Sequence, residues 1–192
     1  RPFGGSDPPA VAYTYAPGRG AGHGIELLAN YSGIVQCDGY AAYKRLAREK
    51  PAGEEVTLAF CWTHWRRYFY DIAEGGDAPI ASEALIRIAE LYEIEADIRG
   101  QSAGQRRAAR QEKSKPLVLT FRVWLEIQLA KVSAKSDTAE AIRYGFNHWD
   151  GLVRFLDDGR IEMDTNIVER SMRPVALNRK NALFAGHDDG AS

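Results

Sequence analysis

Apolar positions along the chain change their period twice, and the changes divide it into three stretches. Ala10 to Tyr15 (Ala-Val-Ala-Tyr-Thr-Tyr) has strand composition and is closed by the breakers Pro17-Gly18-Arg19-Gly20. Ile25 to Tyr31 predicts a short helix, and Ile34 to Cys37 predicts a second strand ending at Asp38-Gly39. An Asp-Gly pair between strands would signal a hairpin. Here Tyr43, Leu46 and Ala47 follow at helical spacing, so Asp38 falls at a strand-to-helix junction. Val56 to Trp62 is apolar almost throughout, as suits a third strand covered on both faces, and a helix from about His64 to Ala73 follows. Strands alternating with helices predict an α/β sheet with crossover connections.

The middle stretch carries helical periodicity alone. Ser82 to Arg99 places Leu85, Ile88, Ala89 and Tyr92 on one face, with Ser82 in position to cap it. A Gly/Gln/Arg-rich connector from Gly100 to Lys115 leads to Pro116, a helix-start signal, and to an apolar helix from Leu117 to Val132. Asp137-Thr138-Ala139-Glu140 matches a capping box with Asp in place of Ser or Thr, opening a helix through Trp149. A turn at Asp157-Asp158-Gly159 precedes a last capped helix from Asn166 that is expected to stop at Pro174, with Val175 to Phe184 less defined.

Composition then restricts the class. At 192 residues, with 45% hydrophobic and 27% charged positions, the chain can bury a real core. No run approaches the ~18 apolar residues of a membrane span, and Arg1-Pro2-Phe3-Gly4-Gly5-Ser6 lacks a signal-peptide core, so a cytoplasmic protein without membrane partners is expected. Cys37 and Cys61 each end an apolar run and read as buried reduced thiols. The opening residues carry turn signals in place of an initiator Met, so the sequence is expected to be cut from a longer protein.

Formal net charge is −1, which gives no global basic field, but the charges cluster. Arg99, Arg106, Arg107, Arg110, Lys113, Lys115 and Arg122 face only Glu112 over their stretch, and Arg170, Arg173, Arg179 and Lys180 surround Glu169. Each cluster reads either as a solvated face or as a phosphate contact.

Asp38 has two readings: a metal ligand at the carboxyl end of a sheet strand, where α/β folds place ligands, or a cap for the next helix. Glu169 also has two, because Asn166-x-x-Glu169 has capping-box spacing, while an acid among bases suits a metal carboxylate flanked by phosphate-holding groups. Cys61-x-x-His64 is half of a zinc motif without its second half. His64, Arg66 and Arg67 instead fall near a helix N-terminus, a place that accommodates phosphate oxygens. The sequence has no P-loop and no nucleophile elbow, and Gly18-Arg19-Gly20-Ala21-Gly22 lacks a dinucleotide-binding context.

Four ordered blocks resemble a known family. They are Arg1-Pro2-Phe3-Gly4-Gly5; Gln36-Cys37-Asp38-Gly39-Tyr40-Ala41-Ala42-Tyr43; Cys61-Trp62-Thr63-His64-Trp65-Arg66-Arg67; and Asn166-Ile167-Val168-Glu169-Arg170-Ser171-Met172-Arg173-Pro174 with Arg179-Lys180-Asn181-Ala182-Leu183-Phe184-Ala185-Gly186. Together they resemble the IS66 branch of insertion-sequence transposases. The resemblance implies an α/β, RNase H-like mixed sheet core interrupted by an all-helical insertion. Residues 1–77 would begin that core, 78–156 would form the insertion, and 157–192 would complete the core with the Glu helix.

The resemblance also implies a DDE-type DNA strand transferase in which Asp38 and Glu169 are catalytic metal ligands for two Mg²⁺ ions, or Mn²⁺. His64, Arg66, Arg67, Arg170, Arg173, Arg179 and Lys180 would contact DNA. Double-stranded DNA at element ends and target would be the substrate, with a homo-oligomer forming on DNA and accessory proteins of the element possible. The family's first Asp is expected upstream of Arg1, so the isolated chain is expected to be inactive. A non-catalytic DNA-binding or regulatory remnant and an RNase H-fold nuclease are the alternatives.

Overall fold

The computed structural model describes residues 12–18, 20–39, 41–50 and 55–181, with the side chains of residues 21, 175, 176 and 178–181 outside that description. In chain order the elements are α1 (Ala21–Leu27), β1 (Gly33–Cys37), α2 (Ala41–Glu49), β2 (Val56–Phe60), α3 (Trp62–Glu74), α4 (Pro79–Asp97) and α5 (Ala103–Ala109). A π-helical turn (Arg110–Ser114) then joins α5 to α6 (Lys115–Leu129), followed by α7 (Asp137–Asn147), α8 (Trp149–Val153), a 3-10 turn (Arg154–Leu156) and α9 (Asn166–Asn181). The described chain is mixed α/β but mostly helical, with a two-stranded sheet of β1 beside β2.

The two strands run parallel. Gly33 N donates to Glu55 O at 3.0 Å, joining the two strand starts, and α2 carries the chain back between them. This sheet is smaller than the mixed sheet expected. Residues 12–16, the described part of the expected first strand, are irregular, and residues 10 and 11 lie outside the described residues. Tyr13 and Tyr15 are more than half exposed, and the Tyr13 hydroxyl donates to Ser171 O at 2.6 Å, so this segment is held by a side chain and not by a ladder. The Arg1–Gly5 block, the Pro51-Ala52-Gly53 breaker and the Ala182–Gly186 segment also lie outside the described residues.

The chain divides into two compact units, one comprising Ala59–Asp164 and the other Pro9–Leu58 with Thr165–Ser192. In the second unit α1 packs on α2, with Cys37 and Leu46 buried. α1 begins four residues before the expected Ile25, directly after Gly20. Gly39, at φ +87°, takes the left-handed conformation that turns the chain out of β1, a backbone that glycine adopts without Cβ strain.

The Ala59–Asp164 unit is built around α3. Trp62, Trp65 and Phe69 recur at helical spacing and are fully buried among Ile88 and Leu91 of α4, Phe121 and Leu125 of α6, and Ile142 of α7. Both indoles are satisfied: Trp62 Nε1 donates to Leu152 O at 2.8 Å, and Trp65 Nε1 to Ala141 O at 2.9 Å. Trp62 was expected to end β2 but opens α3 instead, where helical geometry brings its ring into this core. Gly145 permits the close approach of α7, because a Cβ there would fall 2.1 Å from Trp65 Cζ2.

The expected Gly100–Lys115 connector is helical. Ser102 and Gln105 form a capping box that starts α5, and the π-helical turn continues it directly into α6. The Arg-rich composition hid this because two of the arginines face inward. Arg110 is fully buried, with Nε and Nη2 each 2.7 Å from the two oxygens of Glu95 and Nη1 2.9 Å from both Phe155 O and Ile161 O. Arg106, also buried, grips both oxygens of Glu162 at 2.8 and 3.0 Å. The cluster is therefore only in part the solvated or phosphate-facing one expected, with Arg107, Lys113 and Lys115 exposed.

Caps differ from expectation in three places. Pro79 occupies the first turn of α4, so that helix starts ahead of Ser82, consistent with proline's fixed φ and absent N–H. Ser136, not Asp137, caps α7 by accepting from Ala139 N at 3.2 Å. α9 runs through Pro174 to Asn181 where a stop was expected. Arg110→Ala is expected to cost about 3–5 kcal/mol by leaving the Glu95 carboxylate poorly compensated, read as a lower urea midpoint. Arg107→Ala should stay within about 0.5 kcal/mol; equal midpoints for the two variants would contradict this account.

Candidate functional site

Asp38 stands immediately after β1, at the carboxyl end of a parallel strand, and is exposed. α2 is described from Ala41, three residues after Asp38. Near it the Tyr43 hydroxyl titrates above the ordinary tyrosine value, first because it is partly buried and then because Cys37 and Asp38 oppose a second negative charge.

Glu169 stands on the first turn of α9 and is exposed. The helix starts at Asn166, and Val168 N and Glu169 N donate to Thr165 O at 2.9 and 3.1 Å. Glu169 is thus one position beyond a capping-box acid, although a carboxylate here still gains from the positive end of the helix dipole. Arg170 and Arg173 follow on the same helix, both exposed, with Arg170 Nε donating to Asn166 O at 3.2 Å. Arg179 and Lys180 occupy the last turns of α9, and their side chains lie outside the described residues. Asp38, Glu169, Arg170 and Arg173 all belong to the same compact unit.

His64, Arg66 and Arg67 lie on α3 in the other unit. Arg67 is exposed, Arg66 is half-buried with its guanidinium 5.8 Å from the Tyr70 ring centroid, and His64 is half-buried. Cys61, preceding α3, and Cys37, at the end of β1, are both buried and in no disulfide. Among the described residues no three or more His, Cys, Asp or Glu side chains gather as a metal-holding group, which adds no partner to the Cys61-x-x-His64 pair.

No local sequence signal marks the polar cluster beside α3. Thr63 Oγ1 lies 2.9 Å from the Tyr92 hydroxyl and donates to Asp164 Oδ2 at 3.4 Å. Trp62 N donates to Met163 O at 3.1 Å, so the chain just before Thr165 is held by two consecutive residues of α3. Tyr92 had been assigned to an apolar helix face, and only its pairing with a residue 29 positions away makes it polar. A cleft of about 460 Å³ at the α3–α4 turn is lined by Asp71, Gly76, Asp77, Pro79 and Asp137 among others, and by none of the expected site residues.

The two carboxylates offer hard oxygen donors at element ends with cations following on α9, a donor set that fits Mg²⁺ or Mn²⁺ better than zinc. Comparisons with known proteins give this arrangement a context. Residues 2–192 match the family described as Transposase IS66 family. The chain is 48% identical to y4qI, an uncharacterized protein of Sinorhizobium fredii (strain NBRC 101917 / NGR234), over 99% of this chain and 36% of that protein. It is 46% identical to y4jD of the same strain, over 99% of this chain and 38% of that protein, and 41% identical to y4hP, over 100% and 37%. All three relatives are uncharacterized, and the chain spans little more than a third of their length. No solved structure matches it.

The cluster at Tyr92 yields a pH dependence. Burial raises its pKa well above the ordinary value of 10.0, with the Asp164 charge adding to the rise and the Thr63 hydrogen bond opposing it. Because the folded chain holds this proton more tightly than the unfolded chain, the contribution is fully present below that ordinary value. It is lost as pH climbs towards the folded value. Urea midpoints measured from about pH 9 to about pH 12 should fall less steeply in Tyr92→Phe than in the wild type; parallel slopes would contradict the assignment.

Proposed function

The chain belongs to the Transposase IS66 family, and on that premise we propose that it is the catalytic region of a DDE-type DNA transposase, with Asp38 and Glu169 supplying two of its three metal-binding carboxylates. The observation that carries the reading is the placement of Asp38 directly after a parallel strand and of Glu169 on the first turn of α9, two exposed acids in one compact unit. Two Mg²⁺ or Mn²⁺ ions bound by such acids would activate the attacking hydroxyl and stabilise the leaving oxygen of an in-line displacement at phosphorus.

The protein's own part is to hold and orient. Asp38 and Glu169 present oxygen donors where sheet and helix end, so no backbone hydrogen bond of the strand is given up to aim them. Arg170 and Arg173, with Arg179 and Lys180 further along α9, would hold DNA phosphates near the same acids, and His64, Arg66 and Arg67 would hold them from α3. The α4–α8 region, within the proposed insertion 78–156, would be the rigid helical body interrupting an RNase H-like core. Double-stranded DNA at element ends and target is the proposed substrate, bound by a homo-oligomer. The buried ion pairs of Arg106 and Arg110 remove two of the cations that motivated the alternative of a non-catalytic DNA-binding remnant, while Arg107, Lys113 and Lys115 stay exposed.

The test is strand transfer by the intact transposase on DNA carrying its element's ends, in Mg²⁺. Asp38→Asn and Glu169→Gln should each reduce joined product about 10²–10³-fold, the scale of losing one transition-state charge partner, with duplex affinity kept. Arg67→Ala and Arg173→Ala should each lower the salt slope of DNA binding by about 1. Full strand transfer by Glu169→Gln would overturn the assignment, and cut but never joined DNA from the wild type would favour the nuclease alternative.

A further inference from the structure

Four rings in the Ala59–Asp164 unit form a graded ladder that the metal chemistry does not use. The Tyr68 ring of α3 lies on Tyr144 of α7, with centroids 4.6 Å apart and planes 33° from parallel. Tyr144 in turn stacks on His148 at 4.1 Å and 23°, and Phe60 meets the far side of the series edge-on to His148 at 4.9 Å and 75°. The inner end is buried, since His148 is 9% exposed and its Nδ1 lies 2.7 Å from Tyr144 O. The outer end is open, with Tyr68 39% exposed.

Core packing explains the inner rings but not the outer one. A tyrosine packed at a tilt on a neighbour, itself braced from below, gives up little side-chain freedom when another planar group is laid near it. A cation lies on the same helix: Arg67, exposed, precedes Tyr68 and forms no ion pair among the described residues, whereas the Arg66 guanidinium is turned to the Tyr70 ring. An exposed aromatic braced from below, with a cation on the adjoining turn surface, combines a surface for a π-face with a contact for a phosphate, the combination that holds single-stranded nucleic acid.

We propose that Tyr68 is a stacking platform for an unpaired base of the DNA substrate, with Tyr144 and His148 bracing it and Arg67 holding a flanking phosphate. The proposal rests on the transposase reading for its substrate and adds that the substrate is engaged where its strands are separated. Tyr68 is thus a binding residue, and the ring, not the hydroxyl, is the part that matters.

The experiment measures affinity and fluorescence of the intact protein with two probes, one a fully paired duplex and the other the same duplex with a short single-stranded overhang carrying 2-aminopurine. Wild type should quench the overhang fluorophore. Tyr68→Ala should lose that quenching and bind the overhang probe about five- to 150-fold more weakly, with paired-duplex affinity unchanged. Tyr68→Phe should behave as wild type. Tyr68→Ala with wild-type overhang affinity and quenching, or with equal losses on both probes, would overturn the platform while leaving the transposase reading intact. Failure of the wild type to bind either probe would instead overturn the DNA-substrate reading, and this proposal with it.

Discussion

Arg110 is the constraint around which the helical unit is organised. A guanidinium with no solvent exposure is tolerated only when every donor is taken up, and here Glu95 on α4 neutralises the charge while the carbonyls of Phe155 and Ile161 accept from its Nη1. One side chain therefore fixes the α5–α6 run, the last turn of α4 and the irregular segment after α8 relative to each other. Arg106 extends the arrangement to Glu162, and Gly159 is required beside it because a Cβ there would fall 1.8 Å from Ala103 O. Hydrophobic burial around Trp62 and Trp65 supplies most of the stabilisation, but it is non-directional. The ion pairs determine which helix meets which.

That rigidity has a counterpart in the other unit, where the proposed chemistry lies at ends of elements. Among the described side chains of α9 none is buried, and Ile167, Val168, Met172 and Leu177 are exposed along with Glu169, Arg170 and Arg173. A helix of this kind owes its local stability to its first turn and its charges more than to a packed face. Asp38 likewise follows a short strand whose partner, among the described residues, is one other short strand. The exposure of Asp38 and Glu169 suits the proposed role at a phosphodiester, while the Ala59–Asp164 unit carries the large core.

Where a single period governed a segment, the sequence was readable. β1 and α2 fall where alternation and Tyr43/Leu46/Ala47 spacing put them, the helical middle stretch is helical, and Asp38 stands at the junction expected. In two of the misreadings long-range partners override local propensity. Gly100 to Lys115 looked like a loop because its arginines looked solvent-bound, yet Arg106 and Arg110 find carboxylates on Glu162 and Glu95. Trp62 looked like the end of a strand until the core claimed its ring. Pro174 looked like a stop, yet α9 continues through it. The Thr63–Tyr92–Asp164 cluster was invisible for the same reason: none of its members is near another in sequence. The roles of Asp38 and Glu169 were suggested by resemblance, and the helix start at Asn166 puts Glu169 one position beyond the capping-box acid.

The central claim is that Asp38 and Glu169 serve one metal centre, and divalent-ion binding tests it without requiring turnover. Mn²⁺ titration of the intact protein followed by electron paramagnetic resonance should show bound ion whose affinity falls at least about tenfold in Asp38→Asn and in Glu169→Gln. The double variant should bind more weakly than either single variant, because both acids contribute to the same centre's affinity. Wild-type Mn²⁺ affinity in either single variant, or a double variant no weaker than the worse single one, would contradict the account.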